Sequence, residues 1–411
     1  VTQTVRFAVV FTPMALLLAD LSTFSTAAVA AEPATTPPTA AVPAPVAVKV
    51  QNPLPTARTA ETVAVTLAEL RKHSPGLDAP KLVVLDARKQ PVLSQLVDSD
   101  GDDAVDEILF QTDLGPKESK SFTVESGPRA TPKADDFKAY GRFVRERHDD
   151  FAWENDRVAH RMYGPDLETW KKEPLTSSGI DVWVKRAKRL VINEWYMTDD
   201  YHRDNGDGAD FYSVSKSRGC GGTAVFTGDK PSVSRNFVTS RVLTNGPIRL
   251  VFELGYAPFE AGGVKVSETK RISLDAGHNF NRIASTFKVE SGAAPKLDVG
   301  VGVGKHANTD LKTDKQWIRT WEKVKDDDSS LGCAIVLANV SGTPGVLRST
   351  DLDTFLVAKA APGTPFVYYM GSEWSKRPGG AADAAGWTKE VQEQARDAAA
   401  PVKVTVSAAK K

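Results

Sequence analysis

The chain has 411 residues, with 52 lysines and arginines against 52 aspartates and glutamates, and only two cysteines. Balanced charge with no dominant basic patch argues against a nucleic-acid partner, which needs a cationic surface. Two lone cysteines supply no disulfide framework, although Cys220 and Cys333 could pair with each other in an oxidising compartment.

The first stretch runs from a basic segment (VTQTVR) through an apolar run (FAVVFTPMALLLA) to small residues (AAVAAE), the layout of a secretory signal peptide over residues 1–31. The apolar run is short and broken by Thr12 and Pro13, unlike a membrane span. The expectation is a periplasmic or secreted protein with no membrane contact beyond that leader. Residues 32–50, rich in Pro, Ala and Thr, cannot bury enough apolar surface to offset their ordering entropy and read as a flexible linker.

From residue 51 the patterning is β. "TVAVTLAEL", "KLVVLDA" and "SFTVESG" predict a small N-terminal β module over 51–130, with a short helical turn at "LAELRK". Within it, "VDSDGDDAVDEILF" places Asp98, Asp100, Asp102 and Asp106 at relative positions 1, 3, 5 and 9. Calcium takes six to eight oxygen ligands from such a curled loop. The loop departs from a helix-loop-helix site, with Asp103 where glycine is usual and Leu109 in place of the closing glutamate. A calcium loop on a β-hairpin and a solvated acidic turn both fit.

Over 131–411, "LVINEWYM", "RLVFELGYAPF", "VKVSETKRISL", "FNRIASTFKVE" and "DVGVGV" predict one strand after another, with a helix at 384–398 and a last strand in "PVKVTVSAAKK". The predicted class is mostly β: a large two-sheet β-sandwich with a small N-terminal β module. In "RFVRERHDDFAWENDRVAHRMYGP", Arg157, His160 and Arg161 alternate with Val158 and Met162, as on a strand facing a polar cleft. Then "NEWYMTDDYHRDNGDGADFY", residues 193–212, is too polar for a core strand and too aromatic for an ordinary loop.

These central motifs, together with "GIDVWVKR", "SVSKSRGCGG", "TNGPIRLVFELGYAPF" and "VSETKRISLDAGHNFNRIAST", resemble DUF4861, a family of exported bacterial proteins of unknown function, from "NPLPTAR" at residue 52 to the end. The resemblance implies an association with the breakdown of pectin-like and other uronic-acid glycans. It also implies a distant likeness to the supersandwich of galactose mutarotases and several polysaccharide lyases. It implies no catalytic residues.

Side-chain chemistry supplies candidates. Aromatic faces cover sugar C–H surfaces, and charged side chains bind hydroxyls and carboxylates. Trp195, Tyr196, Tyr201, Phe211 and Tyr212 are expected as platforms, and Arg157, His160 and Arg203 as further sugar contacts. For β-elimination, His202 is the expected base, Tyr196 or Tyr201 the acid, and Arg218 or Arg157 the carboxylate neutraliser. Hydrolysis by Asp156 with Glu194 or Asp210, mutarotation through His160 or His278, and non-catalytic glycan binding remain open. The expected partner is an oligo- or polysaccharide, and calcium the expected cofactor, with no organic cofactor.

Overall fold

The computed structural model describes residues 43–172, 174–338 and 345–409; the leader read over 1–31 and most of the 32–50 tract lie outside them. The chain is mostly β, with two sandwiches that share the chain unevenly.

The small sandwich packs a five-stranded sheet, ordered Lys403–Ala408, Val46–Gln51, Ser119–Ser126, Leu82–Leu85, Pro91–Val92, on a three-stranded one, Arg58–Thr66, Glu107–Leu114, Ser94–Val97. Val46, Val48 and Val50 alternate inward and meet Val63, Phe110, Phe122 and Val124. Fully burying one such side chain contributes about 1.5–3 kcal/mol. This corrects the boundaries drawn from sequence. The end of the supposed linker is a core strand, and the last strand of the chain returns to pair with it, Val48 opposite Val406. Thr66 then caps a short helix, α1 (Leu67–His73), its hydroxyl accepting from the Glu69 amide at 3.2 Å.

The large sandwich faces an eight-stranded sheet against two five-stranded ones. The large sheet runs Phe237–Asn245, Arg249–Ala261, Val264–Asp275, Phe280–Ser291, Phe366–Trp374, Ser330–Leu337, Trp317–Lys323, Asp310–Thr313. One opposing sheet is Gly208–Asp210, Asp181–Lys185, Val158–Met162, Asp150–Asn155, Ala139–Val144. The other is Lys230–Ser232, Cys220–Thr227, Leu297–Gly304, Asp353–Ala360, Val346–Ser349. A parallel bridge between Ile180 and Gly219 joins the two smaller sheets into one layer. Cys220 and Cys333 face each other across the sandwich as buried free thiols, with no disulfide between them.

"LVINEWYM" is not a strand. Ile192–Thr198 form a helix, α2, because Ile192, Trp195 and Tyr196 sit at i, i+3 and i+4 and bury one face. Its first turn is anchored from below: Glu154 Oε1 accepts from the Val191 and Ile192 amides at 2.7 and 2.8 Å. The third helix, α3 (Ala384–Ala399), is where the sequence placed it, capped by Asp383 and buried through Trp387 and Val391. No helix among the described residues is long and apolar enough to cross a membrane.

Candidate functional site

The 193–212 segment closes over the outer face of the sheet containing Val158–Met162. Alternation along that sheet sends Phe151, Trp153, Val158 and Met162 inward and Ala152, Ala159 and Trp183 outward. His160 therefore shares the inward face with Val158 and Met162, not a polar face with Arg161. It is fully buried against Trp153, its Nε2 is 3.2 Å from the Ser372 hydroxyl, and burial pushes its pKa down to about 3. It is a neutral core residue, not a sugar contact.

On the outward face, Trp195, Tyr196 and Tyr201 pack around Trp183 with centroids at 5.4, 5.2 and 4.8 Å. All three are buried, so the expected open platforms are a closed aromatic core. Beside it, the Arg161 guanidinium meets three aspartates: Asp181 Oδ2 at 2.7 Å, Asp210 Oδ2 at 3.0 Å and Asp150 Oδ2 at 3.5 Å. Burial pushes the Asp150 carboxyl up to about 7 against the pull of Arg161. Burial and the neighbouring Asp181 push Asp210 up too. The Tyr196 hydroxyl donates to Asp150 at 3.4 Å, and burial followed by the Asp150 charge raises its pKa well above the phenol range. His202 stands at the rim, 3.6 Å from Asp210 Oδ2 and 62% exposed.

The remaining candidates disperse. Arg218 is buried between the sheets, donating to Ser178 Oγ at 2.8 Å, away from the outward face that holds His202. It is no partner for His202 in a reaction. Tyr212 is buried edge-on to His306 at 5.0 Å, and Arg203 is on the surface paired with Asp200 at 2.9 Å. Neither joins a sugar surface with Trp195.

In the acidic loop, Asp98, Asp100 and Asp106 bring carboxylate oxygens within 4.8 Å of one another; Asp102 is not among them. Asp98 already accepts from the Gly101 and Asp103 amides at 2.5 and 2.8 Å, and Asp106 from Ser99 Oγ at 2.6 Å. Like charges, Asp102 first, raise the Asp100 carboxyl. Gly101, at φ +78°, leaves room for the Arg241 guanidinium, which donates to its carbonyl at 2.6 Å and ties the loop to the large sheet. The donor set suits a hard cation such as calcium, with Asp98, Asp100 and Asp106 as its carboxylates.

Arg157 lies elsewhere, in a cleft of about 610 Å³ bounded by the small sandwich, α3 and the turn between strands Val264–Asp275 and Phe280–Ser291. That turn is pinned to the small sandwich, Gln111 Nε2 donating to the Ala276 carbonyl at 2.9 Å. His278 Nε2 is 2.9 Å from the Ala60 carbonyl oxygen. A carbonyl only accepts, so Nε2 carries hydrogen, and in the neutral ring Nδ1 keeps its lone pair. Asn279 Nδ2 donates to two carboxylates, Glu373 Oε2 at 3.0 Å and Glu390 Oε2 at 2.9 Å. Glu373 is buried and held by Arg377, whose Nε is 2.7 Å from its Oε1. Glu390, on α3, opens to the cleft; burial and then the Glu373 charge push its carboxyl up to about 7. Burial, then the like charge of Arg377, lowers the pKa of the half-buried Arg157 guanidinium.

The sequence profile of a family described as a domain of unknown function, DUF4861, matches residues 50–404. The chain belongs to that family. The uncharacterized protein P7 of Formosa agariphila is 34% identical over 375 residues, covering 87% of this chain and 93% of its own. Among solved structures, a protein in glycosyl hydrolase family 38 from Enterococcus faecalis superposes with a TM-score of 0.52 at 10% identity, over 89% of this chain and 48% of its own. An alpha-mannosidase from Enterococcus faecalis V583 gives a TM-score of 0.47 at 9% identity, over 89% and 46%. The DUF4861 chain thus spans about half the length of those solved chains, and its likeness to the family 38 protein is one of fold.

Glu373, Glu390, Asn279 and Arg377 were not among the residues expected from sequence. On the page Glu390 is one of several acids on the polar face of an amphipathic helix, and Glu373 precedes a buried tryptophan. The turn "DAGHNF" was legible as a turn, yet nothing in it says that the small sandwich and α3 close around it.

Proposed function

We propose that this DUF4861 chain is an exported carbohydrate-active protein that cleaves a uronic-acid-containing glycan by β-elimination in the cleft between the small sandwich and α3. The observation that carries the reading is the grouping of Glu390, His278 and Arg157 on that cleft. Arg157 neutralises the substrate carboxylate, which acidifies the neighbouring C–H. His278 Nδ1 takes that proton, Glu390 in its protonated form gives one to the leaving oxygen, and the C–O bond breaks as the ring double bond forms. The fold shared with a glycosyl hydrolase family 38 protein supports a carbohydrate substrate by analogy.

Elimination fits the cleft better than hydrolysis. A hydrolase needs two carboxylates flanking the bond. Of the other carboxylates near Glu390, Glu373 is buried and committed to Arg377 and the Trp374 amide, at 2.8 Å, Glu61 and Asp397 on the cleft wall pair with Arg58, and Glu393, also on the wall, lies 3.7 Å from Arg396. We further propose that Asp98, Asp100 and Asp106 hold a calcium ion that braces the acidic loop, outside the reaction.

The test is incubation with pectic and other uronate oligosaccharides while following the ultraviolet absorbance of an unsaturated uronate. Absorbance should rise, and Glu390→Gln should slow it by about 10²-fold or more. New reducing ends without that absorbance would overturn elimination, and retention on a uronate gel without products would reduce the protein to a binder.

A further inference from the structure

The 610 Å³ cleft is one lobe of two. A second hollow, of about 200 Å³, continues from it over the outer face of the large sheet, and both are lined by Arg58, Glu61, His278, Phe280, Gln394 and Asp397. Ligand pockets commonly run from about 300 to 1,000 Å³, so the smaller lobe is an extension rather than a pocket of its own.

The arginines around the two lobes are not equivalent. Arg58 is spent on Glu61 at 3.2 Å, on Asp397 at 3.4 Å and on the Ala400 carbonyl at 2.5 Å. Arg249 makes a bidentate pair with Asp275, at 2.6 and 2.7 Å. Two guanidinium groups, Arg157 in the larger lobe and Arg282 in the smaller, have no hydrogen-bond or ion-pair partner within bonding distance among the described residues. The acids facing them already accept from other groups: Glu61 and Asp397 from Arg58, Asp275 from Arg249, Glu390 from Asn279, Asp156 from the Gly277 amide and Glu373 from Arg377. Arg157 is half-buried with no carboxylate in contact, and Arg282 is exposed with its guanidinium unpaired among the described residues, so each is placed to take a ligand carboxylate through paired hydrogen bonds. Between the two arginines lies half-buried Phe280, fixed in place by stacking on Trp387 at 5.5 Å.

We infer that the two lobes are successive subsites for an acidic oligosaccharide of at least two uronate units, one carboxylate on Arg157 and the next on Arg282, with the chain crossing Phe280. Resting on the uronate reading of the cleft, this inference adds a minimum chain length and a residue that selects it. A single uronate fills only the lobe of Arg157. Arg282, exposed on its strand, acts on affinity for the second unit and is no part of the fold's core.

The test is calorimetric titration of the whole protein with galacturonic acid, digalacturonate and trigalacturonate, for wild type, Arg282→Ala and Arg157→Ala. The disaccharide should bind about tenfold or more tighter than the monosaccharide, the worth of one charge-assisted hydrogen-bonded pair. Arg282→Ala should erase that gain and leave monosaccharide affinity within about twofold; Arg157→Ala should weaken both. Equal affinity for one and two units, or an Arg282→Ala variant that binds the disaccharide like wild type, overturns the inference while leaving the uronate cleft standing. No binding of any of the three ligands by wild type sinks the uronate reading and the inference together. Circular dichroism of each variant separates lost binding from lost folding.

Discussion

Two regions of this protein set a carboxyl group near neutrality by burial, and they do opposite things with it. Under the 193–212 segment, Asp150 is pushed to about 7 in a place where Arg161 is saturated by three aspartates and Trp183, Tyr196 and Tyr201 seal the surface. In the cleft beside α3, Glu390 is pushed to a similar value where Arg157 has no hydrogen-bond or ion-pair partner in contact among the described residues and a hollow of about 610 Å³ opens. The comparison teaches that a perturbed pKa marks burial, and that only access turns it into chemistry.

The largest expected effect breaks the first region. Arg161→Met removes the cation shared by Asp150, Asp181 and Asp210, leaving Asp150 only the Arg147 charge, and breaking such a buried pair costs about 3–5 kcal/mol. Arg157→Met breaks no ion pair or side-chain hydrogen bond among the described residues and should cost less than about 1 kcal/mol. Urea denaturation of the two variants side by side measures the contrast, and equal losses would contradict it.

His306 is next. Its Nδ1 faces Glu322 Oε1 at 2.8 Å and its Nε2 the Ser213 carbonyl at 2.9 Å. Two acceptors require two N–H donors, so the ring is an imidazolium, and the Glu322 hydrogen bond raises its pKa despite burial. A raised folded pKa contributes stability that is complete below the ordinary value of 6.5 and lost as pH rises through the folded one. His306→Gln should cost about 1.5–3 kcal/mol at pH 5.5, with the gap to wild type narrowing in alkali. A gap that does not change with pH argues against the imidazolium.

Glu390 works in the same direction through the opposite charge. Its carboxyl titrates at about 7 in the fold against 4.5 ordinarily, so the fold favours the protonated form. That preference is fully expressed below pH 4.5 and lost as pH rises through about 7. Glu390→Gln should therefore match wild type near pH 4.5 and exceed it at pH 8, by about 1–2 kcal/mol after allowance for solvent around a half-buried side chain. The same titration should appear as the alkaline limb of the activity profile. No such crossover in stability would mean that Glu390 is an ordinary surface acid.

Sequence patterning carried the fold further than the site. Strands such as Val264–Asp275 and Phe280–Ser291 bury every second side chain, which periodicity reports directly. It failed at Val46–Gln51, where alternation hides in a Pro/Ala tract, and at Ile192–Thr198, where a helix of seven residues is too short to outweigh apolar content. The site was less legible for a different reason. Trp195, Tyr196 and Tyr201 stand close in sequence because one local segment packs on Trp183, whereas Arg157, His278 and Glu390 meet only when three distant segments close on each other. Local density reported local packing; the cleft is a product of topology.

The acidic loop offers the smallest effect and the sharpest check on residue identity. Asp98, Asp100 and Asp106 converge, while Asp102 raises the Asp100 carboxyl by repulsion without joining the cluster. A divalent cation bound there would stabilise the fold by mass action, about 1–2 kcal/mol at ligand concentrations near ten times its dissociation constant, or a melting temperature higher by about 2–4 °C. Calcium should therefore raise the melting temperature of chelator-treated wild type, and Asp100→Asn should abolish the rise. Without calcium, Asp100→Asn should melt slightly higher than wild type, because it removes a charge that repels its neighbours. Asp102→Asn should keep the calcium response, since its carboxylate stands outside the converging set. Loss of the response in both variants would mean that the loop binds cations diffusely through net charge, not through three directed ligands.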